Sequence, residues 1–170
     1  MRADLLYVFY QVVVVVGAAI QLWVGRKPVT ARRLVEVLLQ WSLLINVGIA
    51  GLLGFYAHAF QAAATAALIG WPPGSPFQFE VAVANLAFGV LGILCQWFRG
   101  GFWGATIVGF AVFLEGAAYG HIRDILVAHN YAPGNAGVIL YWDILVPLAQ
   151  LILLLVLLRS ATRGSLPERS

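Results

Sequence analysis

The feature that most constrains this chain is the separation of its charged residues from long apolar segments. These segments are residues 5–24, 34–60, 76–98, 101–122 and 137–158. A helix needs about 20 apolar residues to cross the hydrocarbon core of a bilayer, and each segment qualifies. Because 62% of the 170 residues are hydrophobic and only 10% are charged, no water-soluble fold of this size could bury the apolar surface. The sequence therefore predicts an all-α, polytopic transmembrane helical bundle with about five spans.

The chain is expected to form one domain. We assign residues 1–159 to a single transmembrane helical domain and residues 160–170 to a short, polar cytoplasmic tail. Arg2 and the small residues near the end of the first segment resemble a secretory signal. The apolar run from Leu5 to Val24 is longer than the ~7–15 residues typical of a signal peptide. We therefore interpret it as the first span.

Basic residues predict the orientation of the bundle. If the N-terminus lies outside, the inner loops and tail hold eight of the ten basic residues, and only Arg2 and Arg123 lie outside. The inner set is Arg26, Lys27, Arg32, Arg33, Arg99, Arg159, Arg163 and Arg169. The positive-inside rule therefore predicts the N-out, C-in topology. Because this clustering explains the net charge of +3, that charge does not indicate nucleic-acid binding.

Local signals predict where several helices begin. Ser75, Pro76 and Gln78 match a capping box, so we expect the third span to start at Pro76. The sequence Arg99-Gly100-Gly101 predicts a tight inner turn. The alanine-rich segment 61–70 either prolongs the second helix or lies along the outer surface.

Asparagines flank a second predicted turn at residues 132–135. Asn135 is expected to act as the N-cap of the fifth span, and Asn130 to serve the turn geometry. The fourth span can extend from about Phe102 to Asn130. Arg123 and Asp124 are interpreted as exposed loop charges that help to set the orientation of the chain in the membrane and have no chemical role.

Two spans carry a face of polar and small residues. At 100° per residue, the members of each face lie within about 60° of one another. The faces are Glu36, Gln40, Gly51, Gly54 and His58 on the second span, and Asn85, Gly89, Gly92 and Gln96 on the third. Such faces pack inside a bundle, while leucine-rich sides contact lipid.

Ionisable and amide side chains concentrate in the outer part of four spans, counted at about 1.5 Å of rise per residue. The candidate ligand-binding residues are Glu80, Asn85, Glu115, His121 and Asp143. A bound metal, if there is one, would take ligands from Glu80, Glu115, His121, Asp143 and His58. An ionised carboxylate in hydrocarbon costs at least a few kcal/mol, so each must face protein, water or a partner.

Three functions remain open from these residues. The first is an outward-facing intramembrane carboxylate and histidine pocket that binds a small polar solute, a proton or a metal ion in transport or sensing. The second treats the polar groups as hydrogen bonds between helices in a non-catalytic subunit or scaffold, whose partners are the lipid bilayer and another membrane protein or a second copy. The third is a metal- or haem-dependent membrane enzyme.

The enzyme hypothesis is the weakest of the three, and no catalytic residue or cofactor is assigned. The Glu-x-x-His pattern of di-iron bundles fails for Glu80 and Glu115, because Val83 and Ala118 stand where histidine is required. A His-Glu-x-x-His zinc motif is absent from the sequence.

Two stretches resemble a family of small, uncharacterised bacterial integral membrane proteins. They are Gly70-Trp71 with Ser75-Pro76-Phe77-Gln78-x-Glu80 and Ala84-Asn85-Leu86, and Asn130-x-Ala132-Pro133-Gly134-Asn135-Ala136-Gly137 followed by Asp143. The resemblance covers about residues 70–150. It implies a multi-pass protein of the bacterial cytoplasmic (inner) membrane and gives no activity or substrate.

Overall fold

The computed structural model describes the backbone of residues 3–163 and the side chains of residues 5–160, and this part of the chain contains helices and no β-strand. The helices are α1 (Ala3–Val24), α2 (Ala31–Ser42), α3 (Ala50–Phe60), α4 (Ala62–Ile69), α5 (Phe77–Leu94), α6 (Gly101–Ala128), α7 (Pro133–Ala136) and α8 (Val138–Arg163). Within residues 3–163, five segments are long and apolar enough to cross a membrane: Leu5–Val24, Ala31–Phe60, Phe77–Leu94, Gly101–Ala128 and Pro133–Ser160. The predicted all-α bundle with five spans is confirmed.

The second span contains a π-helical segment that the sequence did not predict. Residues Leu43–Ile49 are π-helical and join α2 to α3 without a break. Asn46 lies in this segment and is buried, and its side-chain amide donates to Ser42 Oγ at 3.1 Å. Gln150 of α8 donates to the same Ser42 oxygen at 2.9 Å. The π-helical segment therefore places the polar side chain of Asn46 in the middle of the bundle. Short π-helical segments within α-helices are often found at functional sites.

Helices α3 and α5 touch backbone to backbone along the predicted small-residue faces. A Cβ atom added at Gly51 would lie 2.8 Å from the backbone oxygen of Asn85 and 2.8 Å from the backbone nitrogen of Gly89. A Cβ atom at Gly89 would lie 2.9 Å from the backbone nitrogen of Leu52. Only glycine permits this approach, which is typical of helix pairs in membranes. The prediction that each face packs inside the bundle is confirmed at these positions, and the structure adds that the two faces pack against each other.

The predicted capping box at the start of the third span is wrong. Helix α5 begins at Phe77, its N-cap is Pro76, and no side chain caps it. The side-chain amide of Gln78 instead donates to the backbone oxygen of Ala62 at 2.8 Å. A buried carbonyl of α4 thus competes successfully for the amide that a capping box would use. The alanine-rich segment is accordingly the separate helix α4, which Gln78 ties to α5.

The predicted helix ends around α6 are mostly correct. Gly100 has a φ of +64°, and α6 begins at the next residue, so the predicted glycine turn is present. Helix α6 extends to Ala128, in agreement with the predicted extension of the fourth span. Asn135 is not a helix N-cap, because it lies inside the short helix α7, whose N-cap is Ala132. Its side chain has a different role, described below.

The end of the chain is only partly described. Helix α8 continues to Arg163, so the first residues of the predicted polar tail are helical. Residues 164–170 lie outside the described residues, as does Arg2.

Hydrogen bonds tie three helices together at the end of the bundle that holds the α5–α6 turn. Gln40 of α2 donates to Gln96 at 3.2 Å, and Trp41 donates to Gln21 of α1 at 2.6 Å. Arg99 forms an ion pair with Glu36 at 2.6 Å. The polar side chains at this end therefore satisfy one another. Glu36, which the sequence placed on the polar face of the second span, belongs to this cluster.

Candidate functional site

A cavity of about 820 Å³ lies at the opposite end of the bundle. It lies between the packed pair α3 and α5 and the packed pair α6 and α8, with residues of α4 and α7 in its wall. Helices α5 and α6 make few contacts with each other, which leaves room between the two pairs. Most of the wall is apolar, with a few polar side chains that converge on the space. This combination is typical of small-molecule sites.

Asp143 and His121 form the polar centre of this wall. Asp143 is 3% exposed and His121 is 8% exposed, and both line the cavity. His121 Nε2 lies 3.6 Å from Asp143 Oδ2, which is within ion-pair distance but too long for a direct hydrogen bond. Among residues 5–160, no protein group donates a hydrogen bond to the Asp143 carboxyl. The carboxyl therefore faces the cavity with hydrogen-bonding capacity to spare.

Asn135 determines which nitrogen of His121 carries hydrogen. Its Nδ2 donates to the backbone oxygens of Asn130 at 2.8 Å and His121 at 3.3 Å. The amide orientation follows from these two bonds, so Asn135 Oδ1 is the acceptor in its 2.7 Å contact with His121 Nδ1. Nδ1 must then carry a hydrogen atom, and Nε2 is left to face Asp143. Asn135 is fully buried, so water does not compete for these bonds.

The same network connects the two short helices that contribute to the cavity wall, α4 and α7. Asn130 donates its side-chain amide to the backbone oxygen of Ile69 at 2.9 Å, and its Oδ1 accepts from the backbone N–H of Ala132 at 3.1 Å. These bonds connect the end of α4 to the start of α7. The two asparagines that the sequence assigned to turn geometry therefore join α4, α6 and α7 around the site.

Two further polar side chains line the cavity from the α3–α5 pair. Asn85 donates to the backbone oxygen of Val81 at 2.9 Å, and its amide oxygen lies beside Gly54, with no donor to it in the part of the chain that the structure describes. His58 Nδ1 is buried and has no hydrogen-bond partner among the described residues. Both groups can therefore take part in binding.

Four of the predicted residues come together at this cavity: Asn85, His121, Asp143 and His58. Glu80 and Glu115 do not, because both are exposed and neither lines the cavity. Glu80 lies in the first turn of α5 on its outer side. Glu115 lies between two residues of the wall, Leu114 and Gly116, but its own side chain is exposed and does not line the cavity. It still interacts electrostatically with Asp143.

The predicted metal set is not assembled. Within the described ranges, no group of three or more His, Cys, Asp or Glu side chains is placed to hold a metal ion. The two carboxylates that would complete such a set are Glu80 and Glu115, which lie outside the cavity.

Sequence reasoning missed several residues of the wall, and also Asn135, which contacts His121 without lining the cavity. Asn135 gave no signal, since an asparagine in a Pro-Gly turn is explained by backbone geometry alone. Asp124 could have been found, because it follows the wall residues Ala117 and Gly120 at helical spacing. Arg123 lies beside it and also lines the cavity. Tyr7 reaches the wall from α1, which only the tertiary packing determines.

The five spanning helices define a multi-pass membrane protein whose apolar outer surface suits a lipid environment. The chain matches a family of unknown function, DUF6790, over residues 4–163, and it belongs to that family. No curated protein and no solved structure matches it. The sequence resemblance was also to a family without an assigned activity, and in that respect it agrees with this match.

Proposed function

We propose that this protein binds a small polar or amphipathic solute in the cavity, as part of transport or sensing at a membrane. The observation that carries the proposal is the Asp143 carboxyl, which is buried on the wall of an 820 Å³ cavity without a hydrogen-bond donor among the described residues. Burying an ionisable group without partners is costly. A bound solute or proton would offset that cost.

The alternative, that the polar groups only join helices, is supported less well at this end. The side chains near the α5–α6 turn behave as such joints, because Gln40, Gln96 and Trp41 are all paired. At the cavity, the Asp143 carboxyl and His58 Nδ1 have no hydrogen-bond partners in the described part of the chain. Polar groups that line a cavity without hydrogen-bond partners favour a binding site over a contact that only joins helices.

We place the cavity on the outer side of a bacterial cytoplasmic membrane, with both the N-terminus and the site outside and the C-terminus inside. The support is the charge asymmetry of the chain. Lys27 and Arg99 lie at the end opposite the cavity, together with most other basic residues. The positive-inside rule assigns that end to the cytoplasm.

A subunit or scaffold role has no observation of its own. The exposed apolar side of α1, with Val8, Val12 and Val15, is accounted for by contact with lipid. Catalysis at a metal ion is left out of the proposal, because the described residues offer no set of three ligand side chains, and no observation favours haem-dependent catalysis.

A cavity-filling variant tests the proposal. Gly120 lines the cavity, and a Cβ atom there would meet nothing within 4 Å, so Gly120→Leu should fill the space without disturbing the fold. Gly104 on the same helix also has open space but lies near the opposite end, so Gly104→Leu is the matched control.

The measurement is the thermal unfolding temperature of the purified protein in detergent, with a panel of small cationic, neutral and anionic solutes. We expect at least one solute to stabilise the native protein and Gly104→Leu, and to lose most of that effect in Gly120→Leu. Equal stabilisation of both variants by every solute that binds would remove the cavity as the site.

A further inference from the structure

We infer that the cavity takes a small organic ammonium ion and that its binding releases one proton from the Asp143–His121 pair. This inference rests on the proposed function, since it assumes that the cavity is a binding site. It adds the chemical class of the solute and a coupling to protons.

The polar groups of the wall call for a ligand that donates hydrogen bonds. The Asp143 carboxyl and the Asn85 amide oxygen are acceptors, and neither receives a hydrogen bond from residues 5–160. A ligand with an ammonium group carries several N–H donors and a positive charge, and both properties suit acceptors of this kind. A carboxylate or phosphate ligand would instead place its charge beside a buried acidic group.

The rest of the wall suits an apolar body and a cationic head. Tyr7, Trp71 and Phe113 are among its residues, and aromatic ring faces attract cations within about 6 Å. Aliphatic side chains such as Leu68 and Ile139 complete the lining. An inorganic divalent cation fits less well, because no three ligand side chains converge among the described residues.

Proton release follows from the arrangement of the pair. Since Asn135 keeps a hydrogen on His121 Nδ1, the pair has one exchangeable proton, on either His121 Nε2 or the Asp143 carboxyl. With that proton the pair is neutral overall, and without it the buried Asp143 carries an uncompensated negative charge. A bound ammonium ion can supply the missing positive charge. The exchange of one proton for one cation therefore leaves the net charge of the site unchanged, which avoids the cost of burying a charge.

Other charged and titratable groups near the pair must be considered. Helix α6 adds Glu115, Arg123 and Asp124, of which Arg123 and Asp124 line the cavity. The remaining titratable side chains are Tyr7 on α1 and His58 on α3, while the wall residues of α4, α5 and α7 are not titratable. The two acidic groups outnumber the one arginine, so the surroundings of the pair favour a cation.

The test compares three probes of one shape: phenethylammonium chloride, 2-phenylethanol and sodium phenylacetate. Binding to the purified protein is measured by calorimetry in phosphate and in HEPES buffer, neither of which is a primary ammonium ion; their different ionisation enthalpies report the protons released. We expect phenethylammonium to bind with release of one proton per ligand, by linkage. Asp143→Asn should weaken its binding at least tenfold and abolish the release, whereas Glu80→Gln, an exposed carboxylate outside the cavity, should change neither.

Each other outcome overturns the inference in a distinguishable way. Tighter binding of 2-phenylethanol or phenylacetate, lost in Gly120→Leu, would refute the cationic ligand and leave the proposed function standing. Phenethylammonium binding with the same heat in both buffers would refute the proton exchange. Absence of binding by all three probes would refute the ligand class, and the broader solute panel would then decide the proposed function by itself.

Discussion

Replacing Asn135 by alanine tests whether the network behind His121 has the strength that its geometry indicates. The side chain is fully buried and makes three hydrogen bonds, to His121 Nδ1 and to the backbone oxygens of His121 and Asn130. Side-chain hydrogen bonds in membrane proteins are worth about 0.6 kcal/mol on average and up to about 1.7 kcal/mol. Losing three such bonds, and leaving a buried donor unpaired, should lower the free energy of unfolding by roughly 2–3 kcal/mol.

Asn85→Ala is the control, since it removes the same atoms from an asparagine that lines the cavity. Asn85 makes one hydrogen bond in the described part of the chain, to the Val81 carbonyl of its own helix. Its replacement should therefore cost about 0.6 kcal/mol plus a packing loss no larger than that at Asn135, because Asn85 is only partly buried.

The assay is equilibrium unfolding of the purified protein, driven by SDS in mixed micelles and followed by tryptophan fluorescence. We expect the free energy of unfolding to fall in Asn135→Ala by about 1.5–2 kcal/mol more than in Asn85→Ala, the value of two additional hydrogen bonds. If the two variants lose the same free energy within about 0.5 kcal/mol, the asparagine network does not hold α6 and α7 together, and our reasoning about the His121 tautomer loses its basis.

Two further predictions concern packing and topology. Gly51→Ala should destabilise the protein by about 1–3 kcal/mol, because the added Cβ atom would meet backbone atoms at 2.8 Å. Gly104→Ala should be neutral or stabilising, since alanine is the better helix former and has space there. Equal effects of the two variants in the same unfolding assay would contradict the close contact of α3 and α5. In a Cys95→Ala background, a membrane-impermeant maleimide should label Ala128→Cys on intact cells and Lys27→Cys only after permeabilisation; the reverse pattern would refute the N-out topology.

Much of the fold was predictable because apolar spans and glycine faces are local properties. The inward-facing position of the glycines and Asn85 on the third span follows from helical periodicity, and the structure shows that this face packs against α3. The length of α6 also followed from its composition. Errors arose where a side chain had a choice of partners. Gln78 could cap its own helix or bond Ala62, and the sequence alone gives no way to weigh a carbonyl sixteen residues away.

The candidate site shows the same division. His121 and Asp143 were found from the sequence because ionisable groups inside apolar spans are costly and therefore informative. Glu115 was grouped with them by depth, but depth does not fix direction. Its neighbours Leu114 and Gly116 both line the cavity, so only the tertiary structure shows that the Glu115 side chain is exposed outside it.

The sequence by itself determined that this chain crosses a membrane as helices, because a backbone in lipid must satisfy its own hydrogen bonds and hydrophobicity sets the spans. It also limited the candidates to a few polar residues. Only the tertiary structure decided that Asn135 supports His121, that Asp143 lacks a hydrogen-bond donor among the described residues, and that Glu80 and Glu115 lie elsewhere. The physical reason is that hydrogen bonds and cavities depend on the distances between separate helices, and no pattern within one helix contains those distances.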